Sequence, residues 1–314
     1  MRDHSDLLES HLCSNIGVYM KIGIIISSEP KQAAFAGAER LEAAGAARGI
    51  EMARLYESHF TFESHGDDFT VLYEDQPFGC FDALVYRPNF IEEPSLHVHI
   101  PSLLKKTGVR VLNGTALMHE TKNKLAQHVR LLEAGLPMPP WAIAKQKQEA
   151  LEAAKRIGFP VVLKTPFGTH GVGIFYAENA ETLQPIIDYL RVSDENPSII
   201  ESFVAEANRK DVRAFVIGGK IVAAMERTAP AGDIRANAAL GGVGTKTELT
   251  KEEEQIVLAC TQTFELDIAG VDLLRTAKGL LLIEVNANPG FTELERATGV
   301  DIAGAIIDEA ARIR

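Results

Sequence analysis

The sequence lacks the apolar stretches of a membrane or secreted protein and the positive charge of a general nucleic-acid binder. No segment approaches the roughly eighteen consecutive apolar residues of a membrane-spanning helix. Residues 1–19 have no apolar stretch of the kind that marks a signal peptide. The formal net charge is -11, which disfavours binding to polyanions and anionic membranes. We therefore expect a cytoplasmic protein without a membrane or nucleic-acid partner.

Cysteine is scarce as well. The chain has three cysteines, Cys13, Cys80 and Cys260, and none of the short spacings that typify cysteine-based zinc sites. An odd count is also atypical of a protein held together by disulfides. We expect three reduced and chemically inert thiols.

Two common nucleotide-binding fingerprints are missing, but a glycine-rich segment is present. Neither the P-loop spacing nor the GxGxxG spacing occurs in "VVLKTPFGTHGVGIFYAEN". Three glycines, Gly168, Gly171 and Gly173, instead lie between a predicted strand at 161–164 and another at 174–176. A bare backbone in such a hairpin loop allows close approach to an anion, so we expect a phosphate clamp. Ordinary turn chemistry is the competing interpretation.

With 314 residues, of which 46% are hydrophobic, the chain is long enough for two or three domains. We predict an N-terminal extension over 1–19, an α/β domain with an open, mostly parallel sheet over 20–113, a small lid over 114–200 and a C-terminal unit over 201–314. Within 20–113 we expect a polar loop after the strand "EMARLY". Arg87 follows a later strand, where α/β sheets bind ligands; a solvated arginine is the alternative.

The segment "DIAGVDLLRTAKGLLLIEVNANPG" predicts a β-hairpin with a turn near Ala277. The period of two places Glu284 and Asn286 on one face, and a symmetric turn puts Asp272 opposite Leu282 and diagonal to Glu284. Two carboxylates and an amide are hard oxygen donors, which suit Mg²⁺ or Mn²⁺ better than Zn²⁺. A solvated edge pattern is the alternative.

Several segments together resemble the ATP-grasp superfamily, in particular its RimK-like glutamate ligase branch. They are "LKTPFGTHGVGI", "DVRAFVIGGKIVAAMER", "GDIRANAALGG", "GVDLL" and "LLIEVNANPG". The resemblance spans about Lys122 to Ala311. It implies an α/β (α+β) ATP-grasp fold, in which a lid and a C-terminal antiparallel-sheet subdomain follow the N-terminal parallel-sheet domain. It also implies ATP, with Mg²⁺ or Mn²⁺, as the cofactors.

The resemblance assigns roles to individual residues. Lys124 and Lys164 would reach the nucleotide phosphates, and Asp211 would bind the ribose. Arg227, Arg235 and Asn237 would line the carboxylate and γ-phosphate end, where negative charge grows during transfer. The remaining assignments are Gly168, Thr169, His170, Gly171 and Gly173 in the phosphate loop, Glu201, Ser202, Phe203 and Val204 at the adenine edge, and Asp272, Glu284 and Asn286 at the metal.

Two of these assignments depend on local geometry. A two-residue turn at Gly218 and Gly219 would pair Asp211 with Glu226 and turn Arg227 to the opposite face, whereas one bulge would reverse this. His170 could donate to a phosphate oxygen or, alternatively, lie in water within the turn.

The implied reaction is ATP-dependent amide formation through an acyl phosphate. By the same resemblance, the amine is glutamate and the acceptor carboxylate belongs to a peptide, a protein tail or a coenzyme, and we expect a homo-oligomer. Two alternatives stay open. One is a different ATP-grasp ligase, of the dipeptide, glutathione-like or lysine-pathway type; the other is a non-catalytic ATP-binding module.

Overall fold

The computed structural model describes residues 20–26, 32–87, 99–168, 173–193, 196–230 and 243–312. Over these ranges the chain forms four β-sheets with flanking helices. None of the described helices is long and apolar enough to cross a membrane. The mixed α/β architecture agrees with the fold class expected from the sequence.

An open parallel sheet organises the N-terminal part. The elements here are β1 (Lys21–Ile26), α1 (Gln32–Ala46), β2 (Glu51–Tyr56), β3 (Phe60–His65), β4 (Asp68–Tyr73), β5 (Gln76–Pro77), β6 (Ala83–Arg87), α2 (Ile100–Lys105) and β7 (Arg110–Leu112). Strand order is β2-β1-β6-β7, and every neighbouring pair is parallel. The predicted parallel sheet is therefore confirmed, and the carboxyl ends of β1 and β6 lie at one edge.

The expectation of a polar loop after β2 is wrong. Strands β3, β4 and β5 form a separate antiparallel sheet, with Phe60 paired to Tyr73 and Phe62 to Val71. Phe60 and Val71 are buried, and Phe62 packs against the same core. Aromatic residues thus alternate with polar ones along β3, a strand pattern that the overall polarity of the segment obscures.

A four-stranded sheet, which we call the lid sheet, organises the central part. Its elements are α3 (Lys124–Glu133), β8 (Trp141–Ala144), α4 (Lys147–Ile157), β9 (Val161–Lys164), β10 (Ile174–Ala177), α5 (Ala180–Ser193) and β11 (Ser198–Ser202). Strands β9 and β10 pair antiparallel across the glycine loop, with Lys164 opposite Ile174. Strand β11 lies between β9 and β8, so Glu201 and Ser202 belong to the lid sheet.

A five-stranded antiparallel sheet organises the C-terminal part. The elements are β12 (Lys210–Ile217), β13 (Lys220–Thr228), β14 (Val243–Lys246), α6 (Lys251–Thr263), β15 (Ile268–Thr276), β16 (Gly279–Asn286), α7 (Thr292–Thr298) and α8 (Ile302–Ala310). Strand order is β14-β13-β12-β15-β16. Helix α6 begins with a capping box between Thr250 and Glu253, which satisfies backbone donors at its first turn.

The N-terminal and C-terminal sheets share one apolar core. Ile22 and Ile24 of β1 belong to the same buried cluster as Phe215 of β12 and Ile306 of α8. This packing fixes the carboxyl end of β6 relative to the loop that follows β16. The division of the chain into four units at 19, 113 and 200 stays a prediction.

The expectation of three reduced cysteines is wrong, because Cys80 is in a disulfide. Cys260, in contrast, is free and buried. Burial raises the pKa of the Cys260 thiol to about 12, which keeps it protonated and unreactive at neutral pH. An odd number of cysteines still allows one pair, and spacing along the chain does not reveal which residues meet in space.

Candidate active site

One face of the C-terminal sheet carries most of the charged residues predicted for the site. Asp211 and Arg213 lie two residues apart on β12 and therefore share a face. Arg227 on β13 is the cross-strand partner of Asp211, and Asp272 on β15 is the partner of Arg213. We use the term polar face for six residues, Asp211, Arg213, Arg227, Asp272, Glu284 and Asn286.

The predicted register of the β15–β16 hairpin is wrong, because the turn has a different centre and a bulge shifts the pairing beyond it. The turn is centred between Ala277 and Lys278, and a register shift after Asp272 then makes Glu284 its direct partner. Leu282 instead pairs with Leu273. One extra residue on β16 restores the two carboxylates to the same face. Asp272 and Glu284 are therefore directly opposite each other, rather than diagonal as the symmetric turn predicted.

A second bulge decides the orientation of Arg227. The register of β12 and β13 shifts between Phe215 and Val216, so Asp211 pairs with Arg227. Of the two geometries left open by the sequence, the structure adopts the bulged one. Arg227 consequently lies on the polar face, where its Nε and Nη2 donate to Asp211 at 2.6 and 2.9 Å.

Asp272 connects the two arginines. Arg213 donates to both of its carboxylate oxygens, from Nε to Oδ1 and from Nη2 to Oδ2, the latter at 2.6 Å. Arg227 Nη2 reaches the same Oδ2 at 3.0 Å. Three of the four groups, Arg213, Arg227 and Asp272, are buried, and Asp211 is nearly so. Two positive and two negative charges thus neutralise one another within the network.

The network gives the two aspartates opposite titration behaviour. Burial raises the pKa of Asp272, but the guanidinium groups of Arg213 and Arg227 outweigh burial and lower it to about 2. Burial likewise raises the pKa of Asp211, and here Arg227 compensates only in part while Asp272 adds a like charge, so the pKa is about 6. Asp272 is therefore the more firmly ionised carboxylate.

The residues expected to hold a metal ion fit that role. Asp272 and Glu284 face each other across β15 and β16, and Asn286 Nδ2 donates to Glu284 Oε1 at 2.9 Å. An ionised carboxylate offers about four lone-pair sites, and the two arginines use three contacts on Asp272. Over the described residues no cluster of three or more His, Cys, Asp or Glu side chains occurs; the predicted set has two carboxylates and an amide.

The two lysines expected to bind phosphate are buried and differ in their partners. Lys124 Nζ donates to the carbonyl oxygen of Gly168 at 3.1 Å. Lys164 Nζ instead donates to Glu201 Oε2 at 2.7 Å, and His128 Nε2 lies 3.2 Å from the same oxygen. Burial lowers the pKa of Lys124, an effect that Glu284 opposes and Lys164 reinforces. Lys124 is therefore within electrostatic reach of both the lid and the polar face.

Hydrogen bonds at Thr165 connect the two described ends of the glycine loop. Thr165 N donates to the Gly173 carbonyl at 2.9 Å, and Thr165 Oγ1 donates to the Phe167 carbonyl at 2.6 Å. Gly173 has a φ of +79°, and a Cβ there would overlap Thr165 Oγ1. The loop therefore requires glycine at this position.

The segment expected at the adenine edge leaves the lid sheet at Ser202. The N–H groups of Ser202 and Phe203 donate to the carbonyls of Pro140 at 2.8 Å and Pro160 at 3.1 Å. The Phe203 ring makes an edge contact with Tyr176, with 5.0 Å between centroids. Among the described residues, the backbone N–H of Val204 donates to no backbone carbonyl.

Five of the predicted site residues lie outside the described residues. They are Thr169, His170, Gly171, Arg235 and Asn237. Two residues that the sequence analysis did not select lie within the site. Arg213 is two residues after Asp211, and the period of two along β12 was the signal that could have found it. Lys122 is half-buried and within electrostatic reach of Glu284, Lys124 and Arg87, and burial is the main cause of its lowered pKa.

Residues 121–310 match the family model described as "RimK-like ATP-grasp domain". The chain belongs to the RimK-like ATP-grasp family. The "Probable alpha-L-glutamate ligase" of Haemophilus influenzae is 33% identical over 278 residues, covering 86% of this chain and 91% of the relative. The resemblance stated from the sequence is therefore confirmed, and ATP-grasp ligases use ATP.

Other relatives are longer than the shared region. The "Ribosomal protein bS6--L-glutamate ligase" of Salmonella paratyphi B is 38% identical over 197 residues, which are 62% of this chain and 65% of the relative. A "Probable alpha-L-glutamate ligase" of Parasynechococcus marenigrum is 36% identical over 206 residues, 65% of this chain. The match spans only 44% of that protein. The RimK-like relatives are thus named as glutamate ligases, in agreement with the ligase expectation.

Solved structures confirm the ATP-grasp fold. The RimK domain protein ATP-grasp from Sphaerobacter thermophilus superposes with a TM-score of 0.67 at 21% identity, over 93% of this chain and all of the other. The ATP-grasp ligase PsnB, complexed with a phosphomimetic variant of its minimal precursor, Mg and ADP, gives a TM-score of 0.70 at 17% identity. That superposition covers 93% of this chain and 98% of PsnB.

Proposed function

We propose that this protein is an ADP-forming carboxylate–amine ligase that joins an amino acid, glutamate in the first instance, to the carboxylate of a peptide or protein acceptor. The names of the Haemophilus and Salmonella relatives support this substrate class. A cytoplasmic location is part of the proposal, supported by the ribosomal protein in the Salmonella relative's name. The further expectations of a coenzyme acceptor and a homo-oligomer stay predictions.

The observation that carries the proposal is the composition of the polar face. Asp272 and Glu284 are paired across β15 and β16, and Arg227 contacts Asp272 from the neighbouring side. Phosphoryl transfer requires positive charge at the transferred group, because the negative charge of that group must be neutralised. Arginines can supply it directly, and a pair of carboxylates can supply it by holding a divalent cation. Lys124 adds a buried positive charge within reach of Glu284.

In the proposed reaction an oxygen of the acceptor carboxylate attacks the γ-phosphorus of ATP and ADP leaves, giving an acyl phosphate. The amine nitrogen then attacks the acyl carbon, inorganic phosphate leaves, and the amine releases a proton. Lys124 and Lys164 orient the phosphates by charge–charge interaction. Closure of the lid excludes water, which would otherwise hydrolyse the acyl phosphate.

A divalent cation fits the proposed chemistry. Asp272, Glu284 and Asn286 would hold Mg²⁺ or Mn²⁺ through oxygen donors. When bound, such an ion supplies positive charge to the phosphate oxygens. Arg213 and Arg227 outweigh burial and hold the pKa of Asp272 below its ordinary value, so this carboxylate is ionised at neutral pH.

Product analysis tests the proposal. The protein is incubated with ATP, Mg²⁺, L-glutamate and a glutamate-terminated peptide. The nucleotides are then separated by chromatography, and the mass of the peptide is measured by mass spectrometry. We expect ADP, phosphate and a peptide heavier by one glutamate residue. AMP with pyrophosphate would refute the acyl-phosphate route.

Replacing glutamate by other amino acids separates the remaining classes. Amide formation with a different amine would identify another ATP-grasp ligase. Nucleotide binding without turnover on any amine and acceptor tested would favour a non-catalytic module.

A further inference from the structure

Arg87 ends β6 at the edge of the N-terminal sheet, close to the loop that follows the polar face. Its Nη2 donates to the Pro289 carbonyl at 2.9 Å, and its guanidinium lies 5.2 Å from the centre of the Phe291 ring. Pro289 is three residues after Asn286, so their Cα atoms are at most about 11 Å apart. The guanidinium is therefore fixed beside the proposed metal end of the site.

The other terminal nitrogen of Arg87 has no acceptor. Nη1 is buried and makes no hydrogen bond. Leaving a buried charged donor unsatisfied is costly, and such a group in a folded protein requires an explanation. A ligand that supplies the missing acceptor is the simplest one.

The contrast with the neighbouring arginines sharpens this point. Arg213 and Arg227 each donate two hydrogen bonds to one aspartate. Among the described residues no carboxylate shifts the titration of Arg87, and burial alone lowers its pKa to about 10. Arg87 is thus a half-buried cation with a buried terminal nitrogen, and the described part of the protein offers no carboxylate to pair its charge.

The charges nearby favour an anionic ligand. Lys122 lies within electrostatic reach of Arg87, Lys124 and Glu284. Lys122 and Lys124 are therefore both within electrostatic reach of one carboxylate, Glu284, which is itself a proposed metal ligand. A compact anion that enters between β6 and the loop after β16 would meet a net positive field.

We propose that Arg87 Nη1 binds a carboxylate of a substrate, and this rests on the proposed ligase function. An arginine terminal nitrogen donates charge-assisted hydrogen bonds to carboxylates with well-defined geometry. The reaction has two sources of that carboxylate. One is the acceptor, whose carboxylate must lie near the γ-phosphate; the other is the incoming amino acid, whose own carboxylate must be held while its amine attacks.

Initial rates on the full-length protein test the proposal with Arg87→Gln and Arg87→Lys. ATP, L-glutamate and acetyl-glutamyl-glutamate are each varied in turn, and ADP release is measured. Loss of a charge-assisted bond should raise one KM by roughly 10- to 100-fold, with little change in the KM for ATP. Arg87→Lys should restore only part of the loss, because a lysine lacks the planar fork.

The two sources give different results. A rise confined to the KM for L-glutamate assigns the carboxylate to the amino acid, and a rise confined to the peptide assigns it to the acceptor. As a second readout, the assigned carboxylate of the substrate is replaced by an amide. This analogue should bind the wild type more weakly than the parent substrate does, whereas Arg87→Gln should bind the two about equally.

The matched control is Arg54→Gln. Arg54 lies on β2 of the same sheet, two strands from β6, and binds both oxygens of Glu42, at 2.8 and 2.6 Å, so this substitution should leave all three KM values unchanged. Unchanged KM values in Arg87→Gln, or an equal rise for all three substrates, would overturn the carboxylate assignment. ADP formation by the wild type in the same assay would leave the ligase proposal standing.

Discussion

Replacing Glu201 with glutamine should destabilise the folded protein, because its carboxylate neutralises a buried lysine. Lys164 Nζ lies 2.7 Å from Glu201 Oε2, and the two side chains are only 7% and 6% exposed. Removing one partner of a buried ion pair typically costs about 3–5 kcal/mol. Since the glutamine oxygen still accepts a hydrogen bond, we expect a loss of about 3 kcal/mol in the free energy of unfolding.

Thermal and urea unfolding measure this loss, and the lid contains a matched control. About 3 kcal/mol corresponds to a fall in Tm of roughly 6–12 °C. Lys147 and Asp188 form an exposed pair in the same subdomain at 2.8 Å, so Asp188→Asn should cost less than about 1 kcal/mol. Combining Glu201→Gln with Lys164→Met should recover much of the stability, because no lysine charge is then left unpaired.

The pH dependence gives the reasoning a second test. Burial raises the pKa of Glu201, but Lys164 and His128 outweigh burial and lower it below the ordinary value of 4.5. A lowered carboxylate pKa contributes stability above pH 4.5 that is lost as the pH falls through the folded-state pKa. The difference between wild type and Glu201→Gln should therefore shrink below pH 4.5. A difference no larger than that of Asp188→Asn, or one independent of pH, would refute the buried-pair argument.

Three further predictions concern the polar face and the lid. Glu284→Gln should retain the wild-type Tm but lower ADP formation by roughly 100-fold or more, whereas the exposed Glu254→Gln should leave the rate unchanged. Gly270→Ala should cost about 1–3 kcal/mol by overpacking, since the new Cβ would lie 2.7 Å from a proline carbon of the loop after β16; Gly290→Ala, with no atom within 4 Å, is the control in urea unfolding. Gly173→Ala should weaken ATP binding measured by calorimetry, because its φ of +79° disfavours a side chain, and unchanged affinity would remove the loop from the nucleotide site.

The sequence predicted the features that follow from periodicity. The glycine hairpin between β9 and β10 was located from the glycines between two predicted strands, and the carboxylate hairpin of β15 and β16 from alternating residues. Asp272 and Glu284 share a face as expected, although the register that brings them together differs. Alternation identifies which residues belong to one face, whereas a bulge changes only which of them are directly opposite.

What the sequence could not predict depends on contacts between distant segments. The Lys164–Glu201 pair joins residues that are 37 positions apart, and Arg213–Asp272 joins residues 59 apart. Nothing in either local pattern selects the partner, because many carboxylates along the chain are equally suitable. Likewise, the sheet of β3, β4 and β5 is stabilised by an apolar core to which other segments contribute, and its own polar composition predicted a loop.

The partners of the buried cations separate their roles. The charges of Arg213 and Arg227 are balanced by Asp272 and Asp211, and that of Lys164 by Glu201. Lys124 and Arg87 instead donate to backbone carbonyls, those of Gly168 and Pro289, which carry no net charge. Burying a cation against a neutral acceptor recovers less of its hydration energy than burying it against a carboxylate. An incoming anion therefore gains most at Lys124 and Arg87, whereas at Lys164 it must first compete with Glu201. On this reasoning the first contacts of nucleotide and substrate form at Lys124 and Arg87.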